Sequence, residues 1–157
     1  MSRDHIYRLD LTWSGSAAGP TSSYQSYSRE YVIRIAGKAP LKGSADVLFR
    51  GDASLHNPEE LLLATLSSCH MLSFLAEASR SGVLVQAYEV TAEGTMSFEQ
   101  DGGQFTRVVL HPRVVLAAGT HPGLFRELHD RAHENCFIAR SVNFPVEHVA
   151  VFETTGD

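Results

Sequence analysis

The two cysteines of this 157-residue chain are the residues with the most direct chemical potential. Cys69 and Cys136 lie 67 positions apart. An ionised thiol is a nucleophile, and an oxidised thiol that a second cysteine can reach closes into a disulfide. A cysteine among apolar helical neighbours is more often an inert core residue, and the sequence around Cys69 is apolar. The residues alone therefore leave a reactive and a structural role open for both cysteines.

Arg29 and Glu59 are the charged residues that could act on such a thiol. The alternation over Tyr27 to Ile35 predicts a strand that places Arg29 on a mostly apolar face. A charged group there needs a partner, and the Glu59 carboxylate would hold its guanidinium in a two-pronged pair. In the alternative interpretations, Arg29 extends to water at a sheet end and Glu59 only complements a helix dipole. Arg50 is a second arginine that could take the same role.

Eight histidines are scattered along the chain. His129 and His133 are four residues apart in the sequence HDRAH, a spacing that two metal ligands on one helix face can use. The sequence suggests no third ligand, and HDRAH lacks the glutamate placement of the HExxH motif. His70 follows Cys69, but a helix turns it about 100° away. We therefore expect His129 and His133 on a solvated helix face, with a metal site as the weaker alternative.

Composition and charge narrow the class of protein. The net charge is -5 at pH 7 and basic residues do not cluster, which argues against nucleic acid as a partner. The N-terminal sequence MSRDHIYRLDL lacks the apolar segment of a signal peptide, so we expect a cytoplasmic location. In that reducing compartment, two cysteines are more often reactive or inert than permanently crosslinked. The length predicts a single domain over residues 1–157.

A long helix from His56 to Gly82 must position Cys69. Asn57 and Pro58 are typical residues at a helix start, and glycine is typical just beyond a helix end. Leu61 to Ala76 are sixteen residues without one Asp, Glu, Lys or Arg, and they are apolar on almost every side. The length and the polar residues of this stretch favour a buried core helix over a membrane span. A chain of this size has little material to surround such a helix, so we expect a second chain to cover one side.

The remaining segments predict an α+β fold with the order βββ–α–ββ–α–β. The predicted strands cover residues 5–13, 27–35, 45–49, 83–98, 104–117 and 143–152. A turn at 100–103 joins two of them as a hairpin. The second helix covers Gly123 to about His133, and a break with one short helical turn follows at Asn135–Arg140. Short connections between strands favour antiparallel sheets.

Taken together, the segments NPEELLLATLSSCH and ENCFIARSV resemble the signature regions of the OsmC/Ohr family, the osmotically inducible protein C and organic hydroperoxide resistance proteins. The first matches the family's long helix with a cysteine in its middle, and the second matches its other cysteine. The upstream segments YSREY and FRGD also fit the OsmC-like branch. The resemblance covers roughly residues 13–152. Phe137 stands where the family commonly has proline, and the Ohr branch usually reads NPEQLF and CF.

The resemblance implies a thiol peroxidase in oxidative-stress defence. Cys69 matches the family's peroxidatic cysteine, and Cys136 matches its resolving cysteine. Glu59 matches the site glutamate, and Arg29 matches the site arginine. The implied reaction passes through a Cys69–Cys136 disulfide, which an external dithiol reduces, by resemblance a lipoylated protein. It needs no metal or other cofactor, and the apolar surroundings of Cys69 suit organic hydroperoxides.

The resemblance also implies an OsmC-like fold that forms an intertwined homodimer. Along one straight helix, Glu59 and Cys69 are separated by about 15 Å, so we expect Glu59 to act on the partner's site. The homodimer, a hydroperoxide and a dithiol are the expected partners, with neither nucleic acid nor membrane. The alternative function is that of a non-catalytic small-molecule-binding or stress-response protein with the same fold.

Overall fold

The structure is a computed structural model that describes residues 4–99 and 102–155. Contacts divide the chain into two compact units, with the division between Leu61 and Leu62. Each unit contains one β-sheet, and the long helix begins in the first unit and ends in the second. The single domain over residues 1–157 stays a prediction.

The first unit contains a three-stranded antiparallel sheet. Its strands are β1 (Asp10–Trp13), β2 (Tyr31–Arg34) and β3 (Leu41–Gly43), in the order β1-β2-β3. The prediction for the first strand is confirmed over its second half. The second strand begins at Tyr31, four residues later than predicted, so Arg29 lies in the preceding loop and not on a strand face.

The third strand of the first unit differs from the prediction. Residues 45–49 were expected to be extended, but Val47–Phe49 form a short 3-10 helix. The Asp46 carboxylate accepts a hydrogen bond from the Leu48 N–H at 2.8 Å and so caps that turn. Asp side chains commonly compete in this way with sheet hydrogen bonds. The strand lies instead at Leu41–Gly43, before the segment that the sequence predicts as a strand.

The long helix, α1 (Pro58–Arg80), confirms the prediction for this segment. Its start is a reciprocal capping box, since the Glu60 N–H donates to Asn57 Oδ1 at 2.8 Å and the Asn57 N–H donates to Glu60 Oε2 at 3.2 Å. After its end, Gly82 adopts a φ of 72°, which glycine tolerates without the steric cost of a Cβ. The apolar sequence of α1 therefore lies between a capping box at its start and a glycine just beyond its end.

Only one stripe of α1 is buried in the single chain. The buried residues are Leu66, His70, Phe74, Glu77 and Ala78. Leu72, on another side of the helix, is 61% exposed. By length and composition alone α1 could cross a membrane, a property that it shares with the core helices of many soluble proteins. The sequence predicts a helix that is buried on all sides, and within this chain α1 is buried on one face.

The second unit contains a four-stranded sheet. The strands β4 (Val85–Glu99) and β5 (Gly102–Leu116) form the predicted antiparallel hairpin. Residues 100 and 101 of the predicted turn lie outside the described residues. The segment predicted as one last strand forms two, β6 (Val146–His148) and β7 (Val151–Thr154). The fold class is α+β, as predicted.

The pairing of β6 and β7 differs from the prediction of purely antiparallel sheets. Both strands pair with β5 in parallel. The helix α2 (Pro122–Glu134) lies between β5 and β6 in the chain. A helical crossover returns the chain to the same end of the sheet, which is the usual connection between parallel strands.

The helices of the second unit pack on its sheet through two apolar clusters. One cluster joins both helices to β5, and its buried members are Phe74, Ala78, Val114, Leu116, Phe125, Leu128 and Ala132. The other is smaller and consists of Leu66, Val108, Leu110 and Val146. Each fully buried Leu or Phe side chain contributes about 1.5–3 kcal/mol relative to exposure. This packing sets the positions of the α1 segment with Cys69 and of α2, which directly precedes Cys136.

Candidate active site

The structure brings the two cysteines of the second unit together. Cys69 lies in the middle of α1 and is half-buried, whereas Cys136 follows the end of α2 and is 1% exposed. Both are free thiols. Burial raises the pKa of Cys136 to about 11, and a hydrogen bond with the Cys69 side chain is the next cause. Hence the two sulfur atoms are neighbours in the folded chain.

A tight turn holds the Cys136 side chain in place. The Cys136 N–H donates to the His133 carbonyl oxygen at 3.2 Å, and the Arg140 N–H donates to the Cys136 carbonyl oxygen at 3.1 Å. The Cys136 Sγ accepts from the Ala139 N–H at 3.5 Å. These hydrogen bonds match the predicted break and short helical turn, which continues as Ala139–Ser141.

Cys136 is a weak nucleophile near neutral pH. Burial is the main cause that raises its pKa, so the side chain stays a thiol, whereas the thiolate is the reactive form of cysteine.

Arg29 is held in the first unit by carbonyl oxygens and aromatic rings. Its guanidinium donates to the carbonyl oxygens of Tyr27 and Tyr24. The guanidinium carbon lies 3.9 Å from the ring centroid of Tyr27 and 4.6 Å from that of Tyr24. The rings attract the cation, and no carboxylate pairs with it among the residues that the structure describes.

Glu59 lies in the first turn of α1, and its Oε2 is buried without a hydrogen-bond partner among the described residues. The predicted ion pair between Arg29 and Glu59 is absent from the described residues. The Glu59 carboxylate acts electrostatically on Tyr31, because burial, and then the negative charge of Glu59, raise the pKa of Tyr31. A buried carboxylate oxygen without a donor is unusual, and it is available to a cation that approaches it.

A buried pair of histidines is the feature of this region that sequence analysis missed. His70 Nε2 and His129 Nδ1 are 3.0 Å apart, and both residues are 1% exposed. The solvated face expected for His129 is therefore wrong. His129 lies on the same face of α2 as Phe125 and Ala132, a spacing that could have signalled its burial. His148 and His133 extend the cluster, with ring centroids 5.9 Å apart.

The rings of the histidine cluster lie close together. The rings of His70 and His129 are nearly parallel, at 12°, with centroids 5.2 Å apart, which fits two rings that meet edge to edge through their hydrogen bond. The ring centroids of His129 and His148 are 5.6 Å apart at an angle of 26°. Among the residues that the structure describes, no group of three or more His, Cys, Asp or Glu is arranged to hold a metal ion. The weaker alternative of a metal site at His129 and His133 gains no support from this geometry.

We expect the protein to lose stability as the pH falls below about 6.5. Burial, and then charge on neighbouring histidines, lowers the pKa of His70 to about 4 and that of His129 to about 3. Below about pH 6.5 the unfolded chain binds protons that the folded chain rejects, so acid favours unfolding. The loss should reach about 2 kcal/mol for each of the two histidines, or about 4 kcal/mol together, between pH 7 and pH 5.

Urea unfolding followed by circular dichroism at pH 7, 6 and 5 would measure this loss. The double variant His70→Gln with His129→Asn keeps polar groups in place but does not titrate, so it should lose less stability with acid. His133 and His148, which face the pair, and Asp130, which lies 3.4 Å from His148, are present in both proteins. Equal acid dependence in the two proteins would contradict the prediction.

Comparison with known proteins identifies the family to which the chain belongs. The family model of OsmC-like proteins matches residues 51–149. An OsmC-like protein of unknown function from Vibrio cholerae is 32% identical, with a TM-score of 0.83, and the match covers 94% of this chain and 100% of that one. The chain therefore belongs to the OsmC-like family.

More distant structures show the same fold. An organic hydroperoxide resistance protein OsmC from Legionella pneumophila has a TM-score of 0.67 at 17% identity, covering 95% of this chain and 98% of that one. OhrB of Bacillus subtilis, an organic hydroperoxide resistance protein, has a TM-score of 0.62 at 16% identity, covering 94% of this chain and 98% of that one.

A sequence relative matches over part of its length. The uncharacterized protein YmaD of Bacillus subtilis is 27% identical over 94 residues, which span 58% of this chain and 63% of YmaD.

Proposed function

We propose that this protein is a thiol-dependent peroxidase that reduces hydroperoxides in oxidative-stress defence. The contact between the half-buried Cys69 and the buried Cys136 is the observation on which the proposal depends. A pair of free thiols, one of them partly accessible and the other protected, suits a peroxidatic and a resolving cysteine. Membership of the OsmC-like family and the fold shared with organic hydroperoxide resistance proteins support the same function.

The proposed reaction has three steps. The Cys69 thiolate attacks the peroxide O–O bond, the alkoxide leaves and takes up a proton as an alcohol, and Cys69 becomes a sulfenic acid. The Cys136 thiol then attacks the Cys69 sulfur, and the sulfenic hydroxyl leaves as water with the thiol proton. A dithiol reduces the resulting disulfide by exchange and becomes a disulfide itself. By family resemblance, that dithiol is carried by a lipoylated protein.

Organic hydroperoxides are the proposed substrates. Within two turns on the same side of α1, the apolar neighbours Leu62, Leu66, Leu72 and Ala76 outnumber the polar neighbours Thr65 and Ser73, and Leu72 is largely exposed in the single chain. An alkyl or aryl group gains free energy by leaving water for such a surface, whereas hydrogen peroxide has no apolar part. The proteins of the same fold from Legionella pneumophila and Bacillus subtilis are named for resistance to organic hydroperoxides.

Supporting roles for Arg29 and Glu59 and a homodimer belong to the same proposal, by family resemblance. The Arg29 cation would stabilise the thiolate and the charge that develops on the peroxide oxygens. The unpartnered Oε2 of Glu59 leaves this carboxylate free to orient a guanidinium. The uncovered apolar face of α1 is a surface that a second copy would bury.

Stopped-flow measurement of thiol oxidation tests the proposed function. With cumene hydroperoxide, Cys69 should react orders of magnitude faster than free cysteine, and at least tenfold faster than it does with hydrogen peroxide. Arg29→Lys and Glu59→Gln proteins should react more slowly, and light scattering should give twice the mass of one chain. A wild-type rate no greater than that of free cysteine would favour the non-catalytic small-molecule-binding alternative.

A further inference from the structure

We propose that His70 and His129 are positioning residues that hold the two thiols at the separation required for disulfide formation. The proposal rests on the proposed function, in which Cys69 and Cys136 form a disulfide. Neither histidine touches the reacting atoms in the proposed steps. Their role is to fix the two chain segments that present those atoms.

The location of the pair gives it this role. His70 directly follows Cys69 on α1, and His129 lies on α2, seven residues before Cys136. The His70 Nε2 to His129 Nδ1 hydrogen bond of 3.0 Å joins α1, at the residue next to Cys69, to α2, the helix that leads to Cys136. A change in the separation of the helices would therefore change the distance between the two sulfur atoms.

The surroundings of the pair restrict the positions of the two histidine rings. Both histidines are 1% exposed, and the Phe74 ring stacks on His129 with centroids 4.1 Å apart. The rings of Phe125 and His129 meet edge to face, with centroids 4.7 Å apart. Burial lowers the pKa of both rings and so keeps them neutral, and in a neutral pair one nitrogen donates and the other accepts. A ring that lost its partner here would find little water to replace the hydrogen bond. The bond consequently resists sliding or separation of the helices.

The other polar connection between α1 and α2 lies nearer to solvent. Glu77 is contacted by Arg131, with 3.5 Å between Nε and Oε2, and by Asn135, with 3.4 Å between Nδ2 and Oε1. Arg80 also pairs with Glu77, at 2.7 Å. Because Glu77 is shared among three donors, this connection can rearrange, whereas the histidine pair has one partner on each side.

The stability of the disulfide measures the position of the thiols directly. In mixtures of reduced and oxidised dithiothreitol, the fraction of protein with a Cys69–Cys136 disulfide gives the effective concentration of one thiol at the other. Alkylation followed by mass spectrometry measures that fraction without any peroxide. We expect His129→Leu to lower the effective concentration at least tenfold. His129→Asn, whose amide reaches the Nδ1 position, should stay within threefold of the wild type.

Two controls separate positioning from a general loss of stability. Leu116→Val loosens the same apolar cluster from the β5 side and keeps the hydrogen bond, and His133→Leu changes α2 outside the pair. Both should keep the wild-type effective concentration. If the single leucine variant fails to fold, the double variant His70→Leu with His129→Leu, which leaves no unpaired nitrogen, should show the same loss of at least tenfold.

The outcomes distinguish this proposal from the proposed function. A wild-type protein that never forms the disulfide would remove the resolving role of Cys136, and the positioning role with it. A wild-type disulfide whose stability is unchanged in His129→Leu and in the double variant would overturn the positioning role alone. The positioning role would also be overturned if the loss of effective concentration followed the loss of unfolding free energy in every variant, Leu116→Val included.

Discussion

Replacement of Cys69 by serine is expected to abolish hydroperoxide reduction, with a rate lower by about 10³-fold or more. Cys69 supplies the sulfur that takes up the peroxide oxygen in the proposed reaction. A serine hydroxyl stays protonated at neutral pH and cannot form the sulfenic acid. Serine is close to cysteine in size, so the half-buried position in α1 should keep its structure.

Peroxide consumption with excess dithiothreitol measures this prediction, and circular dichroism checks that the variant is folded. The uncatalysed reaction of dithiothreitol with the peroxide is subtracted as the background. Ordinary turnover by the folded Cys69→Ser protein would show that the nucleophile lies elsewhere. The proposed function would then lose its central residue.

Replacement of Cys136 by serine is expected to preserve the first oxidation and to block the second step. The neighbouring thiol acts at a very high effective concentration, and an external dithiol at ordinary concentration cannot match it. Turnover should therefore fall by about 10²-fold, while the first reaction of Cys69 with peroxide keeps its rate. The sulfenic acid that accumulates should be oxidised further by excess peroxide.

Peptide mapping after one equivalent of peroxide separates the two proteins. The wild type should contain a Cys69–Cys136 crosslink, and the Cys136→Ser protein should contain sulfenic or sulfinic acid at Cys69. A wild type with over-oxidised Cys69 and a free Cys136 would exclude the resolving role. Equal turnover of the wild type and the Cys136→Ser protein would also exclude the resolving role of Cys136.

Local sequence signals determined the elements that form without distant partners. The capping residues Asn57 and Glu60 and the terminal Gly82 act within one helical turn, and they specify α1 closely. The hairpin of β4 and β5 and the start of α2 were predicted for the same reason, since turn and cap residues adjoin the elements that they bound. The helix motif around Cys69, together with the segment around Cys136, also indicated the family, which the comparisons confirm.

Only the tertiary structure decided which distant residues meet. Cys69 and Cys136 are 67 positions apart, and His70 and His129 are 59 apart, so no local pattern joins either pair. The parallel pairing of β6 and β7 depends on the path of α2, and the place of Arg29 depends on where β2 begins to pair with its neighbours. These contacts form because the helices and the β5 strand bury apolar faces against one another. Burial acts without direction along the chain, so a one-dimensional pattern does not record its partners.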